Sequence, residues 1–383
     1  MILLLTPFYL PNIGGVEIHL ADYVEYLKKE GREACVLTYQ PITTHKKAPI
    51  FERCGQIKIW RFPYPGFNLF YRLEKHPGVQ FLYLFSGIFL YSFLFMLFNQ
   101  KQVEVIHSHG LASALAGGLL GKIFKKKAVV SLHTIYKFSN ASGNAPYARW
   151  ILGLNGLILV VSQGCQDDLV KIGVEERKIR LYGYWVNTDK FRPLSRSECR
   201  KDLGLPENVR VALFVGRFTP EKQVKEALQA ASLAPQVDCL FVGQGPLEEE
   251  IKKYAQKFKN IKLVGRVEND EIPLYHNAAD ILLLGSVDED YFGKVSLEAM
   301  ASGLPILITN ESYYFDQHKK INPGLLPESC GFMVPLDPQK IARKLRGISR
   351  RPEALRSLRR GCRRYALKHF GICNARVILD SYV

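Results

Sequence analysis

No two of the eight cysteines stand at C-x-x-C spacing; they fall at positions 35, 54, 165, 199, 239, 330, 362 and 373. That removes the sequence signatures of a zinc site and of a dithiol redox pair, and a reduced, cytoplasmic chain is the simplest expectation. The first residues, Met1-Ile2-Leu3-Leu4-Leu5-Thr6-Pro7, lack a basic stretch, and few apolar residues precede Pro7. They therefore read as a first buried strand rather than a secretory leader. Residues 78–100 lack charge altogether. Acids are few beside bases, with 36 Asp and Glu against 52 Lys and Arg, for a net charge of +16.

That surplus is local. Eleven Lys or Arg and one acid, Glu353, lie between positions 343 and 368, so this segment supplies +10 of the total. Leu355, Leu358, Cys362 and Tyr365 recur there at helical spacing, with arginines filling the other face. A solvated face is the ordinary reading, and attraction to an anionic membrane is the functional one. Nucleic acid is set aside, because the run has no interleaved aromatics and no recognition module stands elsewhere. The uncharged run 78–100 is close to the length of a membrane span. Ser86, Gly87 and Ser92 interrupt it, and it leads into a strand of a soluble-looking sheet. A buried helix of the first domain is expected; a patch dipping into a bilayer is the alternative.

At 383 residues, 47% hydrophobic and 23% charged, the chain is long enough for two or three domains with large cores. Apolar runs at 2–5, 34–38, 103–107, 128–132 and 157–161 read as strands. A second series follows at 211–215, 239–242, 261–264, 281–284 and 305–308. Helical patterns lie between them, such as Val16, Leu20, Val24 and Leu27 before Gly31. Strands alternating with helices predict parallel sheets. Irregular patterning over 182–208 places a linker near 185–192. The predicted division is 1–186, with 366–383 packing back on it, and 187–365.

Several loops at predicted strand ends carry candidate chemistry. Gly14-Gly15 precedes the first helix and lets the backbone approach a phosphate or sugar. Gly216-Arg217-Phe218-Thr219-Pro220-Glu221-Lys222 brings two cations to a strand end. Arg offers a fork and Lys a point charge, a pairing that suits a diphosphate. Gly243-Gln244-Gly245-Pro246 has the look of a dinucleotide loop, but Glu248, Glu249 and Glu250 in the next turn would repel phosphate. A tight strand-to-helix turn is expected instead. His107, His109 and His133 lie at strand ends without an evident third metal ligand. Asp288-Glu289-Asp290 could hold magnesium, although clustered acids are common on loops. Asp290 through Pro305 joins two carboxylates, Asp290 and Glu298, through a Phe292-Gly293 turn and a small-residue helix. A free-amide turn with a diol-binding carboxylate suits a nucleotide sugar.

In this order these motifs resemble the family-four retaining glycosyltransferases. The resemblance extends over Gly14-Gly15-Val16-Glu17, Val105-Ile106-His107-Ser108-His109, Ser131-Leu132-His133-Thr134, and Gly216-Arg217 with Glu221-Lys222. It continues through Gly243-x-Gly245-Pro246, Gly265-Arg266-Val267, Asp290 to Pro305, and Gly331-Phe332-Met333-Val334-Pro335 with Asp337-Pro338. It implies an α/β chain of the GT-B fold, two doubly wound Rossmann-like parallel-sheet domains facing across a cleft. It also implies roles. Arg217 and Lys222 would hold the donor diphosphate, and Glu298 the ribose. Asp290 with Phe292, Gly293, Lys294 and Val295 would hold the sugar and phosphate. Gly265, Arg266 and Val267 would touch the base, Gly15 the phosphate, and His133 the transferred sugar. The implied reaction retains configuration and needs no metal or cofactor beyond a UDP- or GDP-linked sugar. The acceptor would be a glycan or a lipid-linked one at the cytosolic membrane face. A catalytically idle subunit that binds a partner or glycan, and a same-fold epimerase, are the alternatives.

The chain departs from the family pattern at four places. Asp290 stands for the usual Glu, and Gln223 for the Gly after the Lys. Gly183-Tyr184-Trp185 replaces Pro-Asn-Gly, and Glu311-Ser312-Tyr313-Tyr314-Phe315-Asp316 replaces a Gly-Gly turn.

Overall fold

The computed structural model describes residues 1–383 apart from 13, 43, 45, 67–68, 74, 134–143, 286–292, 311–325 and 350–351. The chain forms two compact units, Met1–Tyr184 with Cys373–Val383, and Trp185–Ile372. The division therefore falls two residues before the expected 186. The returning segment begins at Cys373 rather than 366, because Val186 N–H bonds the Phe370 carbonyl and keeps the end of the preceding helix on the second unit.

The first unit holds β1 (Ile2–Leu5), β2 (Ala34–Tyr39), β3 (Phe51–Cys54), β4 (Ile57–Phe62), β5 (Val105–His109), β6 (Lys127–Leu132), β7 (Leu157–Val160) and β8 (Ile179–Leu181). They form one sheet ordered β3-β4-β2-β1-β5-β6-β7-β8. Seven strands are parallel; β3 runs antiparallel to β4, which corrects the expectation of a wholly parallel sheet. That edge hairpin lacks a continuous apolar run. β4 alternates buried and half-buried residues, and β3 is largely exposed. Central strands are the opposite: Leu3, Leu4 and Leu5 are each fully buried, and each contributes about 1.5–3 kcal/mol by leaving water.

The uncharged run forms one helix, Pro77–Asn99. It is long and apolar enough to cross a membrane, yet only 22% of its most apolar window is buried. The expectation of a core helix is thus corrected. Gly87, Ile88, Ser92 and Met96 face the sheet. The Tyr39 hydroxyl enters the helical ladder, donating to the Leu84 carbonyl and accepting from Ile88 N–H, both at 2.6 Å. Gly87 makes the room: a Cβ there would lie 2.4 Å from the Tyr64 ring and 2.8 Å from the Tyr39 oxygen. On the other side Val79, Leu82, Leu90, Leu94, Leu97 and Phe98 form an exposed stripe, Phe98 at 85%.

The second unit holds β9 (Arg210–Val215), β10 (Val237–Val242), β11 (Ile261–Gly265), β12 (Ile281–Leu284), β13 (Ile306–Asn310) and β14 (Gly331–Pro335). Their order is β11-β10-β9-β12-β13-β14, all parallel. Buried Asp280, just before β12, is the hub beneath this sheet. It meets Arg200 at 2.9 Å, Arg196 at 3.2 Å and Arg210 at 3.4 Å, and accepts from Val211 N–H.

The basic helix Pro352–His369 presents Arg356, Arg360, Arg364 and Lys368 to solvent, one every four residues. Arg359 and Arg363 depart from the expected cationic outer face. Arg359 donates to the Ala279 carbonyl, and Arg363 to those of Thr188, Phe191 and Ala301. These cations tie loose carbonyls into the unit rather than decorate its surface.

Candidate active site

In each sheet the chain runs outward one way, then returns to the middle and runs the other way. The reversal lies between β9 and β12 in the second unit and between β1 and β5 in the first. Ligands of doubly wound sheets bind beyond the carboxyl ends of the strands at that point.

In the second unit the loop after β9 carries Arg217 and Lys222. Arg217 is 58% exposed and pairs loosely with Glu221 at 3.9 Å, so its guanidinium is accessible. A short 3-10 turn, Pro220–Lys222, orders the loop. The loop touches the end of β12: a Cβ on Gly285 would lie 2.8 Å from the Lys222 carbonyl oxygen. Beyond β12 stands the helix Lys294–Ala301, with Gly293 at its start. The amides of Lys294 and Val295 open that helix, the geometry that receives anions. Glu298 is buried on it, at 3% exposure. Gly265 ends β11 in left-handed backbone, φ 83°. Arg266 and Val267 follow, and Arg266 sits 3.7 Å from Glu268. Because the strands are parallel, these loops share one edge of the sheet.

Two expectations meet a different arrangement. The Lys294 side chain is buried, with Nζ donating to the Trp185 carbonyl at 2.9 Å. It anchors the helix start to the beginning of the unit, which leaves backbone amides as this position's offer to an anion. Asp290 and Phe292, with Asp288 and Glu289, lie outside the described residues. The loop 243–246 is the tight turn expected: a Cβ on Gly243 would lie 1.9 Å from the Gly216 oxygen, and one on Gly245 2.6 Å from the Phe218 oxygen. Close backbone packing explains both glycines without a phosphate.

In the first unit Gly15 opens the helix Gly15–Lys29 after β1, and a Cβ there would meet nothing within 4 Å. His133 follows β6 directly. Its Nε2 lies 3.0 Å from His109 Nδ1, and its Nδ1 lies 3.0 Å from the Tyr184 hydroxyl. The His19 ring stacks obliquely on Tyr184, with centroids 4.4 Å apart. His107 binds the Tyr382 hydroxyl at 2.6 Å and the Ser131 hydroxyl at 2.8 Å. Burial disfavours the imidazolium forms. It pulls His133 down to about 4 and His107 to about 3, the latter helped by His133; His109 is pulled well below its usual range. These rings are neutral at physiological pH, each with one nitrogen that donates and one that accepts. Alternation already put His107 and His109 on one face. The parts that Tyr184 and Tyr382 play had no signal, because they come from the end of the unit's first segment and from the chain's last residues.

Residues 13–190 match Glycosyltransferase Family 4, and residues 195–368 match Glycosyl transferases group 1. The sulfoquinovosyl transferase of Arabidopsis thaliana is 25% identical over 365 residues, 90% of this chain. The chain spans 66% of that relative's length. The D-inositol 3-phosphate glycosyltransferase of Saccharomonospora viridis is 27% identical over 97% of this chain and 89% of its own. Among solved structures, the sucrose-phosphate synthase of Thermosynechococcus elongatus superimposes with a TM-score of 0.78 at 21% identity, covering 100% of this chain and 98% of its own. The fold is GT-B. The chain belongs to the family-four-like glycosyltransferases.

Proposed function

We propose that the protein transfers a glycosyl group, with retention, from a UDP- or GDP-linked sugar to a glycan or lipid-linked acceptor. The observation that carries this reading is the set of loops at the β9/β12 reversal: Arg217 and Lys222 from one, and the start of Lys294–Ala301 with Glu298 from the other. As the bond from the sugar to the diphosphate breaks, negative charge grows on the leaving phosphate. Arg217, Lys222 and the helix-start amides meet that charge. Glu298 takes the ribose hydroxyls, and the 265–267 loop the base. The departing phosphate accepts the acceptor's proton on the face where the new bond forms. This scheme uses protein cations where other enzymes use a divalent ion. The neutral His109–His133–Tyr184 chain gives the first unit hydrogen-bonding groups suited to sugar hydroxyls.

The membrane part of the proposal rests on two surfaces. The stripe on Pro77–Asn99 offers apolar area, and the Arg356–Arg360–Arg364–Lys368 row offers charge. Each basic residue near an anionic surface contributes about 1 kcal/mol, and two weak signals together anchor a protein where one does not.

The test is product analysis with UDP- and GDP-sugars, with and without lipid-linked and free glycan acceptors. Transfer with unchanged anomeric configuration is expected. Turnover without acceptor would point to an epimerase, and binding without turnover to an idle subunit.

A further inference from the structure

Arg61 stands on β4 and is buried, 4% exposed. A buried guanidinium needs acceptors for its donors, and three segments supply them. Nε donates to the Leu10 carbonyl at 3.1 Å. Nη1 donates to the Pro49 carbonyl at 3.3 Å and to Glu52 Oε2 on β3 at 2.9 Å. The guanidinium carbon also lies 5.8 Å from the centre of the Tyr9 ring, itself 4% exposed. One cation thus joins the edge hairpin to the loop that leaves β1.

That loop is folded on itself. The Thr6 hydroxyl donates to the Phe8 carbonyl at 2.8 Å. Asn12 donates twice to the Tyr9 carbonyl, from its N–H at 3.0 Å and from Nδ2 at 3.1 Å. These bonds shape residues 6–12, and the bond from Arg61 sets where that shape sits. Phe8 meets Phe70 edge-on, centroids 4.9 Å apart, but an apolar contact has no direction of its own. Gly14 stands two residues beyond Asn12, and Gly15 opens the helix Gly15–Lys29 at the β1/β5 reversal.

We infer that Arg61 is a positioning residue for sugar transfer: by holding Leu10 it fixes the loop that brings Gly14 and Gly15 to the substrates. The inference rests on the transferase reading above. An error of about 1 Å in such a loop costs about 100-fold in rate. Lysine is no equivalent here, because its ammonium is a point charge where the guanidinium is a fork that reaches acceptors from three segments.

The experiment compares the wild-type chain with Arg61→Met and Arg61→Lys. Methionine keeps an unbranched apolar stem and removes every donor; lysine keeps the charge beside Glu52. Transfer is measured with the pair that the wild type turns over, among the UDP- and GDP-sugars and the glycan and lipid-linked acceptors above. The temperature is one at which circular dichroism shows each variant folded. Amide hydrogen exchange is followed by mass spectrometry on the same samples. Arg61→Met should lower kcat about 10- to 100-fold, and Arg61→Lys should lower it less. Amides of residues 8–15 should exchange about 10-fold faster, the worth of one hydrogen bond, while those of β1, β2 and β5 keep their wild-type rates. Bare UDP or GDP, held by Arg217 and Lys222, should still bind. An unchanged kcat in folded Arg61→Met overturns the inference and leaves the transferase reading standing. So does faster exchange spread evenly over the unit, which would make Arg61 a support of the sheet alone. If Arg61→Met does not fold, Arg61→Lys decides by the same two readouts. If the wild type transfers no sugar from any of these donors, the transferase reading falls and this inference with it.

Discussion

His109 Nδ1 lies 3.0 Å from His133 Nε2, within hydrogen-bond distance. One nitrogen of the pair must donate and the other accept. Since His133 Nδ1 also meets the Tyr184 hydroxyl, both nitrogens of His133 are engaged. A sugar hydroxyl that reaches His133 must replace one of those partners.

The same histidines predict acid lability. His107, His109, His133 and His276 all have depressed values, chiefly from burial, with His276 drawn to about 3. In the unfolded chain they titrate near 6.5, so between that pH and their folded values the unfolded state binds more protons. Their contribution is complete above about pH 6.5 and is lost as pH falls, at about 1.4 kcal/mol per unit for each histidine. Urea midpoints should hold from pH 7.5 to about 6.5 and fall steadily from there to pH 5. A flat profile would mean these rings are not held neutral.

Arg217→Ala with Lys222→Ala should cost about 10- to 100-fold or more in affinity for UDP or GDP, through lost charge-assisted hydrogen bonds. Arg217 is more than half exposed, so the melting temperature should hold. Calorimetry showing unchanged nucleotide affinity would remove both from the donor site.

Asp280→Ala should destabilise the second unit by about 3–5 kcal/mol, because fully buried Arg200 would lose its carboxylate. Urea unfolding followed by tryptophan fluorescence reads this directly. A loss below 1 kcal/mol would show that the carbonyls of Pro206, Glu207, Val209 and Ala278, which also bind Arg200, suffice alone.

Transfer should persist in excess EDTA. Activity that disappears and returns with magnesium would give Asp288 and Asp290 a metal role instead.

Liposome flotation should show binding that requires anionic lipid and weakens with salt. Leu94→Asp with Phe98→Asp should weaken it through lost apolar burial, and Arg360→Gln with Arg364→Gln through lost charge. A protein that stays in solution with anionic vesicles at low salt would return both surfaces to plain solvent contact.

The alternation of apolar runs with helical patterns was enough, by itself, to determine the class of fold. A strand buried on both faces must be apolar along its length, as Leu3, Leu4 and Leu5 are, and that mark is local. The turns after β9 and β11 stand out along the chain for the same reason, since glycines and cations at strand ends are local marks. Tertiary structure alone decided where particular side chains went. Lys294 turned to the Trp185 carbonyl and Arg363 to three others, because a buried carbonyl without a donor is costly wherever the chain leaves one. β3 and β4 paired without an apolar run, since hydrogen bonding along an edge needs none. Pro77–Asn99 kept an exposed apolar stripe although its composition suits a core, because composition does not say which face a neighbour covers.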